Sequence, residues 1–176
     1  MASVTVTVFG SSRPQPGEPR YQQAFELGAA IGRRGWVLAN GGYGGTMAAS
    51  SAGAKQAGGT TIGVTCEVFG RGGASEFTDR EIRTGDLPTR LARLIALGDS
   101  YVVLPGGTGT LSELAEVWEL LNKGLVAGKC IVLLGDWWEP VCQAVQRDDP
   151  QALRLVHKAD TPERAAEIIA GRLGVP

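Results

Sequence analysis

With one histidine and three cysteines in 176 residues, the chain has few ligands for transition-metal chemistry. His157 lies late in the sequence, and a dedicated zinc, copper or iron site needs more ligands than it and its neighbours supply. No metal is expected. Cys66, Cys130 and Cys142 are far apart and form no C-x-x-C pair. They are expected as buried free thiols in a reducing cytoplasm rather than as a disulfide framework. No apolar run is long enough to cross a membrane, and the opening "MASVTVTVFGSS" lacks a basic leader region, so neither a span nor a signal peptide is expected. Charge of one sign is also missing: 17 basic residues stand against 18 acidic ones, dispersed along the chain. That balance argues against nucleic acid as the partner.

Two common nucleotide signatures are absent as well. No G-x-G-x-x-G with an acidic residue about 20 positions on is present, which argues against a dinucleotide. No glycine loop runs into G-K-S or G-K-T, which argues against a P-loop NTPase.

What remains is an ordinary globular composition, 43% hydrophobic and 20% charged, of a length expected to fold as one domain over residues 1–176. Short Val- and Ile-rich runs at 3–9, 36–39, 60–66, 100–104 and 129–134 predict strands covered on both faces. Helical patterns at 19–34, 45–57, 87–97, 110–123, 138–147 and 162–173 alternate with them. Such alternation predicts an α/β, Rossmann-like three-layer fold, with a central parallel sheet flanked by helices. Segment 67–86 is polar and glycine-rich, and reads as a long functional or mobile loop.

Three strands run into small-residue segments: "FGSSR" at 9–13, "NGGYGGT" at 40–46 and "PGGTGT" at 105–110. In a parallel sheet all three fall outside the carboxyl ends of the strands, where open α/β sheets bind ligands. The candidate ligand residues are Gly10, Ser11 and Ser12, then Gly41, Gly42, Gly44, Gly45 and Thr46, then Gly106, Gly107, Thr108, Gly109 and Thr110. Free N–H groups and the positive dipole end of a helix start favour an anion, and glycine lets it approach the backbone. A phosphate fits best, on a mononucleotide or another phosphorylated small molecule.

Glu113 and Glu116 share a helix face just past the third loop. Two meanings are open for Glu113. "TLSE" is a capping-box pattern in which this glutamate serves the helix start, and it is equally a carboxylate beside a phosphate site. Arg90 in "LPTRLARLIALGDS" borders an apolar face and reads either as a surface arginine or as a site residue. Trp137 and Trp138 follow a strand and emerge near the ligand edge, to stack on a base or to cover the core or a subunit contact. Trp118 and Leu121 extend an apolar face available to a dimer.

"PGGTGTLSE" at 105–113 resembles the P-G-G-x-G-T-x-x-E signature of the LOG family, phosphoribohydrolases that release a free base from nucleoside 5′-monophosphates. "VFGSS" (8–12), "NGGYGGTMAA" (40–49) and "IGV" (62–64) are similar to that family's successive N-terminal elements, in the same order. The resemblance implies catalytic roles for Glu113 and Arg90, a phosphate loop at 106–110, a second acidic position at Glu116, no cofactor and a homodimer. Leu91 stands where the family's R-K pair has its lysine, and "GGTMAA" replaces a more usual G-L-M-G pattern, which marks a divergent branch. The family's frequent label of lysine decarboxylase finds no support, since Lys55, Lys123, Lys129 and Lys158 lie away from the glycine loops. A non-catalytic carrier of a phosphorylated ligand, nucleotide or molybdenum-cofactor-like, is the alternative, because molybdenum-cofactor carriers resemble the family in fold.

Overall fold

The protein is described by a computed structural model covering residues 3–70 and 72–175. Its strands alternate side chains between two buried faces, as period-2 geometry requires. In β1 (Thr5–Phe9) Val6 and Val8 face one way and Phe9 the other; in β5 (Ser100–Val103) Val102 opposes Tyr101 and Val103. β6 (Ile131–Leu134) behaves likewise. Both faces therefore need helical cover. On one side lie α1 (Pro19–Arg33), α2 (Thr46–Gln56) and α6 (Pro162–Leu173), with Leu27, Ala49 and Ile169 in that half of the core. On the other lie α3 (Leu87–Leu97), α4 (Thr108–Asn122) and α5 (Glu139–Asp148), with Leu94, Leu114 and Cys142.

With β2 (Val37–Asn40), β3 (Thr60–Cys66), β4 (Arg80–Thr84) and β7 (Val156–Ala159), the sheet has seven parallel strands in the order β4-β3-β2-β1-β5-β6-β7. The three-layer Rossmann-like architecture expected from the alternation is the one observed. All five expected strands form.

Two more form where none was expected. β4 ("REIRT") corrects the reading of 67–86 as one long loop, and that segment also holds a 3₁₀ turn at Glu67–Phe69. β7 ("VHKA") is the other addition. Both are edge strands, so one backbone rim and much of their side-chain surface meet water, and no apolar run betrays them. Trp118 and Leu121 also differ from expectation. Instead of forming an outer face, both are buried, and the Trp118 indole donates to the Ala152 carbonyl at 2.9 Å. The segment after α5 folds back over them. Among the described residues no helix is long and apolar enough to cross a membrane, and Cys66, Cys130 and Cys142 are all buried and unpaired.

The chain winds outward from β1 to β4, returns through α3, and winds the other way from β5 to β7. Strand order therefore reverses between β1 and β5, which pair in register from Val6 opposite Ser100 to Phe9 opposite Val103. The loops leaving these two strands part to opposite sides, and the crevice between them is where an open α/β sheet takes its ligand.

Candidate active site

A cleft of about 570 Å³ opens at that switch point. One wall is the loop after β1, Gly10 to Arg13, joined by Arg20 from the first turn of α1. The floor is Gly106 to Thr110, where β5 passes into α4, with Glu113 one turn further along the helix. Tyr43, Met47, Phe69, Arg90 and Trp137 complete it.

The three glycine loops do different work. Gly106 to Thr110 and Gly10 to Ser12 line the cleft directly. The second loop supports them from behind. Gly45 has φ +66°, and a Cβ there would stand 2.4 Å from the Ser11 carbonyl oxygen. Thr46 donates both its N–H (2.9 Å) and its hydroxyl (3.0 Å) to that same carbonyl. Gly41, Gly42 and Gly44 likewise lie outside the lining, and the second loop reaches the cleft through Tyr43 and Met47. Asn40 organises its turn, donating to the Met47 carbonyl at 2.9 Å and accepting from the Gly42 N–H at 2.8 Å.

At the floor, α4 begins two residues before the expected position, with Gly107 as N-cap. The N–H groups of Gly107, Thr108, Gly109 and Thr110 find no acceptor among the described residues, the ordinary state of a helix start. The earlier start also removes the capping-box meaning of Glu113. It stands six positions past the N-cap, in the second turn, too far along to reach back to it.

Arg90 is buried, where a surface position was one expectation. Its Nε donates to the Val64 carbonyl at 2.8 Å, and its guanidinium lies 5.8 and 5.7 Å from the Tyr43 and Phe69 ring centroids. Gly41 gives it room, since a Cβ there would stand 2.0 Å from Nη2. Asp86 caps α3 by accepting from the Thr89 N–H at 2.7 Å, which fixes the helix that carries Arg90.

Glu113 meets Arg90 at 3.5 Å, with side-chain exposures of 16% and 10%, so the pair is largely withdrawn from water. Burial pushes the Glu113 carboxyl from 4.5 up to about 7, and the Arg90 charge and hydrogen bond pull it only partly back. One long contact does not repay the lost hydration. A carboxyl titrating at neutral pH in a cleft can both take and return a proton in one cycle. Among the described residues no lysine lines the cleft. Glu116 also lies outside it, on an apolar groove between α3 and α4 that Leu91 and Leu120 share.

Several lining residues carried no sequence signal. Tyr43 and Phe69 are single aromatics in polar loops, and Arg13 and Arg20 look like any surface arginine until the strand order brings them to the rim. Tyr43 is placed by its hydroxyl, which donates to the Cys66 carbonyl (3.1 Å) and accepts the Cys66 N–H (2.8 Å) at the end of β3.

Folded Glu113 holds its proton up to about pH 7, whereas the unfolded chain releases it near 4.5. Its ionisation therefore destabilises the fold as pH rises between those values. Relative to the unaltered protein, Glu113→Gln is expected to gain roughly 2–4 kcal/mol of stability from pH 4.5 to pH 8. Urea unfolding of both proteins across that range measures it, and a difference that stays flat with pH contradicts the raised carboxyl.

Comparison with known proteins agrees with this fold. Over 135 residues the chain is 37% identical to a cytokinin riboside 5′-monophosphate phosphoribohydrolase of Mycobacterium tuberculosis, covering 76% of this chain and 71% of that one. A protein of the same name from Rhodococcoides fascians is 31% identical over 147 residues, 81% of this chain and 74% of the relative. Among solved structures, the molybdenum cofactor binding protein of Rippkaea orientalis superposes with a TM-score of 0.79 at 29% identity, over 97% of this chain and 98% of that one. The SLOG cluster4 family matches residues 3–166, and the chain belongs to that family.

Proposed function

We propose that the protein is a nucleoside 5′-monophosphate phosphoribohydrolase, cleaving the N-glycosidic bond to give a free base and ribose 5-phosphate. One observation carries this above all: a buried carboxyl titrating near pH 7 stands one turn from four unpaired helix-start amides, in a single cleft. Gly109 and Glu113 are four residues apart and so share a face of α4, separated by about 6 Å along the axis. A 5′-phosphate on the amides of 106–110 brings the ribose over Glu113. Gly10, Ser11 and Ser12 close the opposite wall; Gly45 and Thr46 hold that wall, Gly41 makes room for Arg90, and Gly42 and Gly44 complete the turn between them.

In the proposed reaction the C1′–N bond breaks with its electron pair leaving on the base, and a water oxygen bonds to C1′. Glu113 accepts the water's proton and, as a carboxylate, stabilises the oxocarbenium-like ribosyl cation. Arg90 offsets the negative charge that develops on the departing base. That base needs a proton, and a carboxyl near pH 7 returns one. Phosphate binding far from C1′ fixes the reacting carbon, converting remote contacts into alignment. No cofactor enters this scheme, and no lysine is placed for decarboxylation.

A non-catalytic binder of a nucleotide or a molybdenum-cofactor-like ligand is the second reading, favoured by the likeness to molybdenum-cofactor proteins. It gives no role to a carboxyl held near pH 7 beside the anion site. A reducing, cytoplasmic setting completes the proposal, supported by three buried, unpaired thiols.

Incubation with a panel of nucleoside 5′-monophosphates is expected to release free base and ribose 5-phosphate, resolved by chromatography. Turnover rises with pH through about 7, and Glu113→Gln lowers it at least about 100-fold while sparing nucleotide binding. Intact nucleotides that nevertheless bind would establish the carrier.

Gly109→Ala separates fold from ligand. A Cβ at 109 meets no protein atom within 4 Å. Alanine is expected to keep or raise stability, by up to about 1 kcal/mol, yet to weaken nucleotide binding, read by titration calorimetry. Unchanged affinity removes the phosphate from this helix start.

A homodimer is also proposed. Since Trp118 and Leu121 are buried, the proposed face is the apolar groove between α3 and α4, which Leu87, 50% exposed, helps to line. Sedimentation equilibrium is expected to give twice the 18.4 kDa chain mass, shifting toward the monomer in Leu87→Glu. A monomeric mass for the unaltered protein rejects the dimer.

A further inference from the structure

Two consecutive tryptophans follow β6, and each donates its indole N–H to a carbonyl of the segment that carries the floor of the cleft. Trp138, buried, donates to the Leu104 carbonyl at 3.0 Å. Trp137, 45% exposed, donates to the Gly106 carbonyl at 3.0 Å. Pro105 lies between these two carbonyls. Proline has no N–H and a fixed φ, so the segment has few hydrogen bonds of its own with which to hold its shape.

The second of these contacts bears on ligand binding. In a trans peptide unit the carbonyl and the following N–H point in opposite directions. Turning the Gly106 carbonyl onto the Trp137 indole aims the Gly107 N–H the other way. That N–H has no acceptor among the described residues, and Gly107 lines the cleft. Without the indole, glycine on both sides of this peptide unit leaves it free to rotate. The fold has an independent reason to keep Trp137 half-exposed at this rim, because the Arg20 guanidinium stacks on its ring at 4.3 Å and adds a cation to the cleft wall.

We propose that Trp137 is a positioning residue: its indole hydrogen bond fixes the Gly106–Gly107 peptide so that the Gly107 amide faces the cleft and receives the ligand's phosphate. This rests on the assignment of the 106–110 loop to a phosphate. It adds a residue 31 positions away in the chain from Gly106, outside the glycine motif itself.

Trp137→Phe tests it, since phenylalanine keeps a ring for Arg20 and removes only the donor. Ribose 5-phosphate titrated calorimetrically is expected to bind about tenfold more weakly to Trp137→Phe than to the unaltered protein, as for one lost hydrogen bond at a preset site. In steady-state assays KM for the hydrolysed nucleotide rises by a similar factor, with a smaller change in kcat. The unaltered, ¹⁵N-labelled protein supplies a check independent of the variant: its Gly107 amide resonance is expected to move on addition of inorganic phosphate. Equal affinity in Trp137→Phe, or phosphate-induced shifts that spare Gly107, overturns the role of Trp137 and leaves the phosphate loop standing. Failure of the unaltered protein to bind ribose 5-phosphate or phosphate at all overturns the loop assignment and the role of Trp137 together.

Discussion

The pairing of β1 with β5 is the constraint on which the site depends. These strands lie side by side in the sheet, yet most of the first half of the chain separates them in sequence, because the winding runs outward to β4 before it returns. Hydrogen bonding forces Phe9 opposite Val103, so the loops beginning at Gly10 and Leu104 start level with each other. They then diverge, one toward α1 and the other into α4 on the opposite face. The gap cannot be filled by either helix, and it stays open as the cleft. The lining groups reach that gap from segments that follow strands or from the first turns of helices, and Arg90, in the first turn of α3, lies across the end of β3.

Arg90 and Glu113 show what closing such a gap around charge does. In water an arginine–glutamate contact at 3.5 Å would hold the carboxyl ionised. Here burial outweighs it, and the carboxyl titrates near 7. The same burial keeps the guanidinium in one place, against the Val64 carbonyl and beside the Tyr43 and Phe69 rings. A strong ion pair would stabilise the fold more and leave Glu113 permanently ionised. Burial costs the carboxylate more than the single long contact with Arg90 returns, and that leaves the carboxyl with a proton to exchange.

Sequence reasoning reached the central sheet and the third glycine loop because both leave periodic or compositional marks. Runs such as "YVVL" and "CIVLL" must be apolar on both faces to sit mid-sheet. It missed β4 and β7 because an edge strand needs no such run, and "REIRT" and "VHKA" mix polar with apolar side chains as a loop also does. Glu113 was in view but ambiguous, since the capping-box alternative turns on whether α4 starts at 108 or 110, and no propensity settles two residues. Tyr43, Phe69, Arg13 and Arg20 were out of reach for another reason. Their place at the cleft follows from which strands are neighbours, which no local pattern records. Trp118 reads as an outer face until the segment around Ala152 is seen to cover it.

Glycine content alone therefore misleads about where a ligand sits. At Gly10 and Gly106 an added Cβ would collide with the Thr46 and Thr110 side chains, at 2.4 and 2.2 Å. Those glycines are accounted for by packing within the chain, whatever binds. At Gly107 and Gly109 a Cβ would meet nothing and neither residue has positive φ. Gly107 is the N-cap, where glycine is favoured over alanine, but at Gly109, inside the first turn of α4, alanine would suit the helix better. Packing and backbone geometry give no reason for glycine there. The remaining reason is the space itself, directly above amides that have no acceptor. A residue that the fold permits but does not require is stronger evidence for a ligand than a conspicuous run of glycines, and in this cleft that residue, Gly109, lies one turn before Glu113 on the same helix.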